Sequence, residues 1–250
     1  MILGGSIKGP PLNYFTIDLI VVMLSWSLSG VIPADTAVDR TMATSLLEFM
    51  IKNCPHSNRS VLKNNLQIIK TMLQVWKERL TIPYQLIHTH FSNPQLDTKD
   101  NAAGLQILGL TLKANFAPFE ASSSMTVYKS EFYASLTNCL QFKYTEVYAA
   151  AAEVCGLAMH YLEQNNSNNS DLDMFLERVS KELTNYSRMN RDRFVVCMFH
   201  MQTYYPAIVD RYNESTLFLN VLVYAMSGAA VILGRLSQYV WTTKGVVNQE

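Results

Sequence analysis

The chain has 250 residues, enough to bury a substantial core as one large domain or two small ones. Its 20 basic and 20 acidic side chains cancel, which excludes a polyanion-binding surface spread over the whole molecule. Charged residues make up only 16% of the sequence, against about 25% in a typical soluble domain. Some faces are therefore buried against something outside the chain, or part of it sits in a membrane.

In chain order, the first residues lack signal-peptide character. Met1 to Gly9 holds one Lys, and the apolar run from Tyr14 to Ile32 is interrupted by Asp18 and several serines. Asp35 is placed to cap a helix reaching Asn53, with Val38, Met42, Leu46, Phe49 and Met50 on one face. Pro55, within Cys54 to Asn58, breaks it. The next helix is expected from Ser60 to Leu80, burying Leu62, Leu66, Ile69, Leu73 and Trp76. Pro83 opens a short helix to Phe91, since proline is tolerated in a first turn. Thr98 is placed to cap a helix reaching Asn115, with Ala102, Leu105, Leu108 and Leu112 as its stripe. Gly104 and Gly109 lie inside it at a cost of about 1 kcal/mol each, and such glycines mark close approach of a neighbouring helix.

Pro118 and Ser122 to Ser124 form a loop, followed by helices over Tyr128 to Gln141 and Tyr144 to Glu163. The second is apolar all round at Val147, Tyr148, Ala149 to Ala152, Val154, Cys155, Leu157 and Ala158, so it lies between other helices. After an Asn/Ser loop, Gln164 to Ser170, helices are expected over Leu172 to Tyr186 and Arg191 to Tyr204, with Pro206 opening another. The apolar run Thr216 to Gly234 is long enough to cross a bilayer, and Arg235 closes it.

Thr98, Tyr144 and Met189 begin comparable helices at intervals of about 45 residues, each alternating with a partner helix. That spacing implies an all-α, HEAT/armadillo-like α-solenoid of antiparallel helix pairs, with an irregular helical bundle as the alternative. The organisation expected is N-terminal helices over 1–57, helical repeats over 58–213, and an apolar helix with a divergent tail over 214–250.

Catalytic chemistry is not in evidence. Neither G-x-x-x-x-G-K-[ST] nor G-x-G-x-x-G occurs, nor a kinase H-R-D or D-F-G element, nor a G-x-S-x-G elbow. His88 and His90, Cys54 and His56, and Cys197 and His200 each offer two metal ligands, with no second pair at finger spacing. No catalytic residue, metal site or cofactor is expected in this segment, and no small-molecule substrate. The four widely spaced cysteines, Cys54, Cys139, Cys155 and Cys197, read as buried free thiols. A mildly basic stretch supplies Arg178, Lys181, Arg188, Arg191 and Arg193, set among Glu177, Glu182 and Asp192. It is a candidate nucleic-acid contact or, with thin aromatic interleaving, a solvated face.

Three ordered blocks are Lys99-Asp100-Asn101 with Gly104 to Gly109, then Glu146 to Leu157, then Asp192 to Cys197 with Pro206 and Asp210-Arg211-Tyr212 beyond it. They resemble the family of the DNA-dependent protein kinase catalytic subunit. Together they cover Leu73 to Tyr212. The resemblance implies very large nuclear serine/threonine kinases acting in non-homologous end joining. Their kinase domain lies near the C-terminus, and a ring-shaped cradle of HEAT-like helices holds the Ku heterodimer and DNA ends. This chain looks like a middle part of that cradle, packed against neighbouring repeats of the same polypeptide, with no family catalytic residue on any position here. The other readings are a membrane protein anchored by Thr216 to Gly234 and an independent helical-repeat adaptor. As a solenoid slice the isolated chain is expected to self-associate through Tyr14 to Ile32 and Leu217 to Leu233, with amide exchange slowest between Tyr144 and Leu162.

Overall fold

A computed structural model describes residues 40–92, 99–121, 126–165 and 170–208, with the side chains of Met42, 99–100, 185–189 and Arg191 left out of the description. The expected caps Asp35 and Thr98 and the apolar runs Tyr14 to Ile32 and Thr216 to Gly234 lie outside the described residues. Among the described residues every regular element is helical: eight α-helices and two 3-10 turns. These are α1 Arg40–Lys52, α2 Arg59–Val75, α3 Tyr84–Phe91, α4 Lys99–Lys113, α5 Lys129–Asn138, α6 Thr145–Asn165, α7 Ser170–Met189 and α8 Arg191–Tyr204. The chain divides into two compact units, one ending at Val127 and the other beginning at Tyr128. That division falls inside the 58–213 stretch expected as one set of repeats.

In the first unit, Asn58 caps α2, its side-chain oxygen accepting from the Ser60 N–H at 2.9 Å. The helix stops at Val75, short of the expected Leu80. Trp76 leaves helical conformation, and Lys77–Arg79 tighten into a 3-10 turn that satisfies terminal carbonyls. Of the expected stripe, Ile69, Leu73 and Trp76 are buried. Leu62 and Leu66 are half-buried, while Asn65 is buried beside Ile68, Ile69, Met72 and Leu73. Asn65 donates from Nδ2 to the Asn53 carbonyl at 3.2 Å, supplying a partner to a group at the end of α1 that helix geometry leaves open.

Helix α4 ends at Lys113, not Asn115, because Asn115 takes a positive φ of 61°. The Phe116 N–H then reaches back to the Thr111 carbonyl at 3.1 Å and the Asn115 N–H to the Leu112 carbonyl at 2.8 Å. This is the Schellman closure, with asparagine in place of glycine. The expected stripe of Ala102, Leu105, Leu108 and Leu112 is buried, and so are Ala103 and Ile107, enclosing α4 on several sides. α4 packs most extensively on α3 and then on α2, while α1 packs on α2 and α3.

In the second unit α8 packs most extensively on α6, and α7 lies against α5, α6 and α8. Helix α5 passes into a 3-10 turn, Cys139–Gln141, that also seats on α6. α6 is buried at Val147, Tyr148, Ala151, Ala152, Val154 to Met159 and Leu162, as its all-round apolar sequence requires. α7 is longer than expected, running from Ser170 to Met189, and buries Leu172, Phe175, Leu176, Val179 and Leu183. In both units helices pack on the next but one, α1 on α3, α2 on α4, α5 on α7 and α6 on α8, besides sequence neighbours such as α3 on α4 and α7 on α8. That alternation, with α4, α6 and α8 starting about 45 residues apart, is the packing rule of a helical-repeat solenoid.

Candidate functional site

The basic stretch runs along α7 into the first turn of α8. Arg178 and Lys181 are exposed, opposite the buried stripe of Leu172, Phe175, Leu176, Val179 and Leu183. Glu177, next to Arg178, is also exposed. Glu182, next to Lys181, accepts from Gln141 Nε2 at 2.5 Å, so this carboxylate faces the turn after α5. Arg188 lies about two turns beyond Lys181 on α7, and Arg191 opens α8; both side chains lie outside the described residues.

Arg193 stands apart from the others. Asn190 caps α8 by accepting from the Arg193 N–H at 3.2 Å, which fixes where the Arg193 side chain leaves the helix. Its Nη1 then donates to the Gln141 carbonyl at 2.9 Å, and its guanidinium sits 4.8 Å from the centre of the Tyr148 ring. The planar fork suits this combination of stacking and carbonyl donation. Arg193 thus joins α8 to the start of α6 and to the turn after α5. The five basic residues do not form one cluster: Arg178 and Lys181 share an exposed face, and Arg193 is committed to helix packing.

Several polar joints had no signal in the sequence. Lys129, in the first turn of α5, pairs with Asp171 in the first turn of α7. Tyr204 and Tyr205 donate their hydroxyls to Glu153 and Glu163 at 3.2 and 3.1 Å, tying the end of α8 to α6. Gln141 serves two of these joints, accepting from Arg193 and donating to Glu182. All of them link residues about one repeat apart in sequence, so a reading of local periodicity does not reach them.

The four cysteines are buried and free. Burial pushes the thiols of Cys54, Cys139 and Cys197 up to about 12, and at Cys197 Arg193 partly opposes it. Cys155 is raised well above the ordinary thiol value by burial and then by Cys197 and Cys139. Such thiols stay protonated and are poor nucleophiles and metal ligands at neutral pH. Burial, then Asp171 and Tyr161, likewise raises the Tyr133 hydroxyl. Among the histidines considered as ligands, His56 accepts through Nδ1 from the Asn58 N–H, and His88 is buried edge-on to Phe91. Among the described residues no group of three His, Cys, Asp or Glu side chains is placed to hold a metal ion.

The family model DNA-PKcs, CC5 matches residues 44–230, three quarters of the chain. The chain belongs to the DNA-PKcs family. It is 36% identical over 219 residues to the DNA-dependent protein kinase catalytic subunit of Gallus gallus, an alignment covering 88% of this chain and 5% of that protein. To the catalytic subunit of Xenopus laevis it is 38% identical over 221 residues, again 88% of this chain and 5% of the relative. The similarity reaches Dictyostelium discoideum at 25% identity over 211 residues, 79% of this chain and 5% of that protein. The chain therefore spans about one twentieth of the length of these relatives.

The matched region is wider at both ends than the three blocks between Leu73 and Tyr212. Those blocks fall on α4, α6 and α8, the helices that start at even spacing. Two of the blocks carry glycines at close helix crossings, Gly104 on α4 and Gly156 on α6. A Cβ on Gly104 would lie 2.7 Å from the His90 Cβ and 3.2 Å from the Phe91 nitrogen. On Gly156 it would lie 2.6 Å from the Met201 carbonyl oxygen and 3.0 Å from its Cα. Close approach at Gly104 was expected from the sequence; at Gly156 it was not, although the residue sits in the strongest block. No described helix is long and apolar enough to cross a membrane, and Thr216 to Gly234 lies outside the described residues.

Proposed function

We propose that this chain is a non-catalytic scaffold segment of a DNA-dependent serine/threonine protein kinase acting in the nucleus in non-homologous end joining of double-strand breaks. The observation that carries the reading is the DNA-PKcs, CC5 match over 44–230, in a chain that makes up about one twentieth of the catalytic subunits it resembles. Stacked helices joined by buried apolar faces and cross-repeat hydrogen bonds make a stiff surface, which supports a role in shape and docking. The partners proposed are neighbouring repeats of the same polypeptide and, through the assembled kinase, the Ku heterodimer and DNA ends. Phosphate contact by the segment itself is a secondary part of the proposal. It falls first to Arg178 and Lys181, whose side chains are exposed, with Arg188 and Arg191 as further candidates.

A chimaera tests this. Residues 44–230 replace the corresponding segment of a related full-length kinase catalytic subunit, and DNA-end-stimulated peptide phosphorylation is measured with Ku present. The chimaera is expected to keep DNA stimulation, whereas deletion of the segment abolishes it and leaves DNA-independent basal phosphorylation. A deletion that leaves DNA stimulation intact would refute the scaffold role. For the secondary part, affinity for duplex ends should fall with salt and with Arg178→Ala plus Lys181→Ala. Salt-independent binding would remove it.

A further inference from the structure

In the first unit, two consecutive residues at the start of α3 hold both described ends of the segment that follows α4. Tyr84 is buried, and its hydroxyl donates to the Ala117 carbonyl, while its ring lies 5.8 Å from that of Phe119 at 43°. Gln85 reaches the other end. Its Oε1 accepts from the Thr126 N–H at 3.2 Å, the Thr126 hydroxyl at 3.3 Å and the Val127 N–H at 3.2 Å. Three donors converge on one atom, and the two backbone N–H groups can only donate, so the amide must present its oxygen there. Val127 is buried and is the last residue of the first unit. Successive side chains on a helix diverge by about 100°, which allows neighbouring residues to take separate anchor points. Pro83 places both of them in the first turn of α3.

We infer that Tyr84 and Gln85 form a two-point clamp that fixes where the chain leaves the first unit, with the Gln85 carbonyl as the element that holds Thr126 and Val127. The clamp works through an acceptor oxygen and not through side-chain bulk. It makes the exit of the chain a fixed point on α3, where a segment bound only by its own backbone would fray. A scaffold that must hold a path across successive helical units gains a defined exit from this contact.

Residue-resolved amide exchange on the whole 250-residue chain tests the inference. Gln85→Ala and Gln85→Leu are expected to speed exchange of the Thr126 and Val127 amides about tenfold or more, with α6 amides unchanged. Gln85→Glu keeps an acceptor oxygen in the same place and is expected to retain the protection. Tyr84→Phe removes the hydroxyl that reaches Ala117 and should leave Thr126 and Val127 as in the parent chain. If Gln85→Ala unfolds the unit, α4 amides lose protection as well, and the bulk-preserving Gln85→Leu variant becomes the comparison. Protection that survives Gln85→Leu, or is lost equally in Gln85→Glu, would overturn the clamp.

Discussion

Gly104 lets α4 lie against the end of α3, whereas Gly156 lets α6 lie against α8, and the two crossings differ in how far they can yield. At Gly104 the nearest atom is the His90 Cβ, close to the end of an eight-residue helix. At Gly156 the three nearest atoms are all Met201 backbone. The Met201 carbonyl already accepts from the Tyr205 N–H at 2.9 Å, and hydroxyl bonds from Tyr204 and Tyr205 to α6 fasten the same end of α8. At Gly104 the nearest atom belongs to a side chain, whereas at Gly156 only backbone is available to move, and two hydroxyl bonds from α8 to α6 fasten that same helix end. The two units use the same device with different margins.

The largest effect is expected at Gly156. Gly156→Ala should destabilise the chain by about 3 kcal/mol, overpacking outweighing the roughly 1 kcal/mol gained in helix propensity. Gly104→Ala should cost about half as much. Urea denaturation of both variants checks the ranking, and an equal or larger cost at Gly104 reverses it. Next comes the Arg193 joint of the second unit. Arg193→Ala should cost about 2 kcal/mol, from the lost carbonyl hydrogen bond and the contact with the Tyr148 ring. Arg178→Ala, on the exposed face of α7, should stay within about 0.5 kcal/mol. Arg193→Lys recovers the charge without the fork, so it should recover little of the loss.

The buried thiols make both units sensitive to alkali. A thiol raised in the folded chain favours the protonated form, so its contribution is complete below the unfolded thiol range. It is lost as pH rises from about 9 towards 12. Cys54→Ala in the first unit and Cys197→Ala in the second should each flatten the loss of stability between pH 8 and pH 10 by about 1 kcal/mol. A steeper loss in either variant would contradict the burial of that thiol. The smallest effect belongs to the Lys129–Asp171 pair, whose side chains are partly exposed. Lys129→Met should cost about 0.5 kcal/mol at low salt and nothing measurable at 1 M salt.

Much of the fold was legible because local chemistry dictates it. Pro83 and the Asn58 region mark helix starts, and the all-round apolar character of Val147 to Ala158 announces a helix buried between others. Arg191 to Tyr204 was bounded by residues that the structure reproduces. The misses lie where a tertiary partner took over. Leu62 and Leu66 looked like core but are half-buried, while Asn65 between them is buried with its amide on the Asn53 carbonyl. Asn115 looked like the last helical residue and became the left-handed closure of α4. In the candidate site, the basic residues were legible as a stretch of charge, but their division was not. Arg193 and Arg178 look alike in sequence, and only the position of Tyr148 and the Gln141 carbonyl separates a packed guanidinium from an exposed one.

The sequence by itself determined an all-helical chain with helices about 45 residues apart, free buried thiols and membership of the DNA-PKcs family, since periodicity, proline placement and ordered residue blocks are properties of the chain alone. The tertiary structure decided which glycines sit at close helix crossings, which arginine is committed to packing and which glutamine reaches the last residues of the first unit. Each of those depends on a partner tens of residues away, brought within a few ångströms by the stacking of repeats. No local pattern encodes that distance.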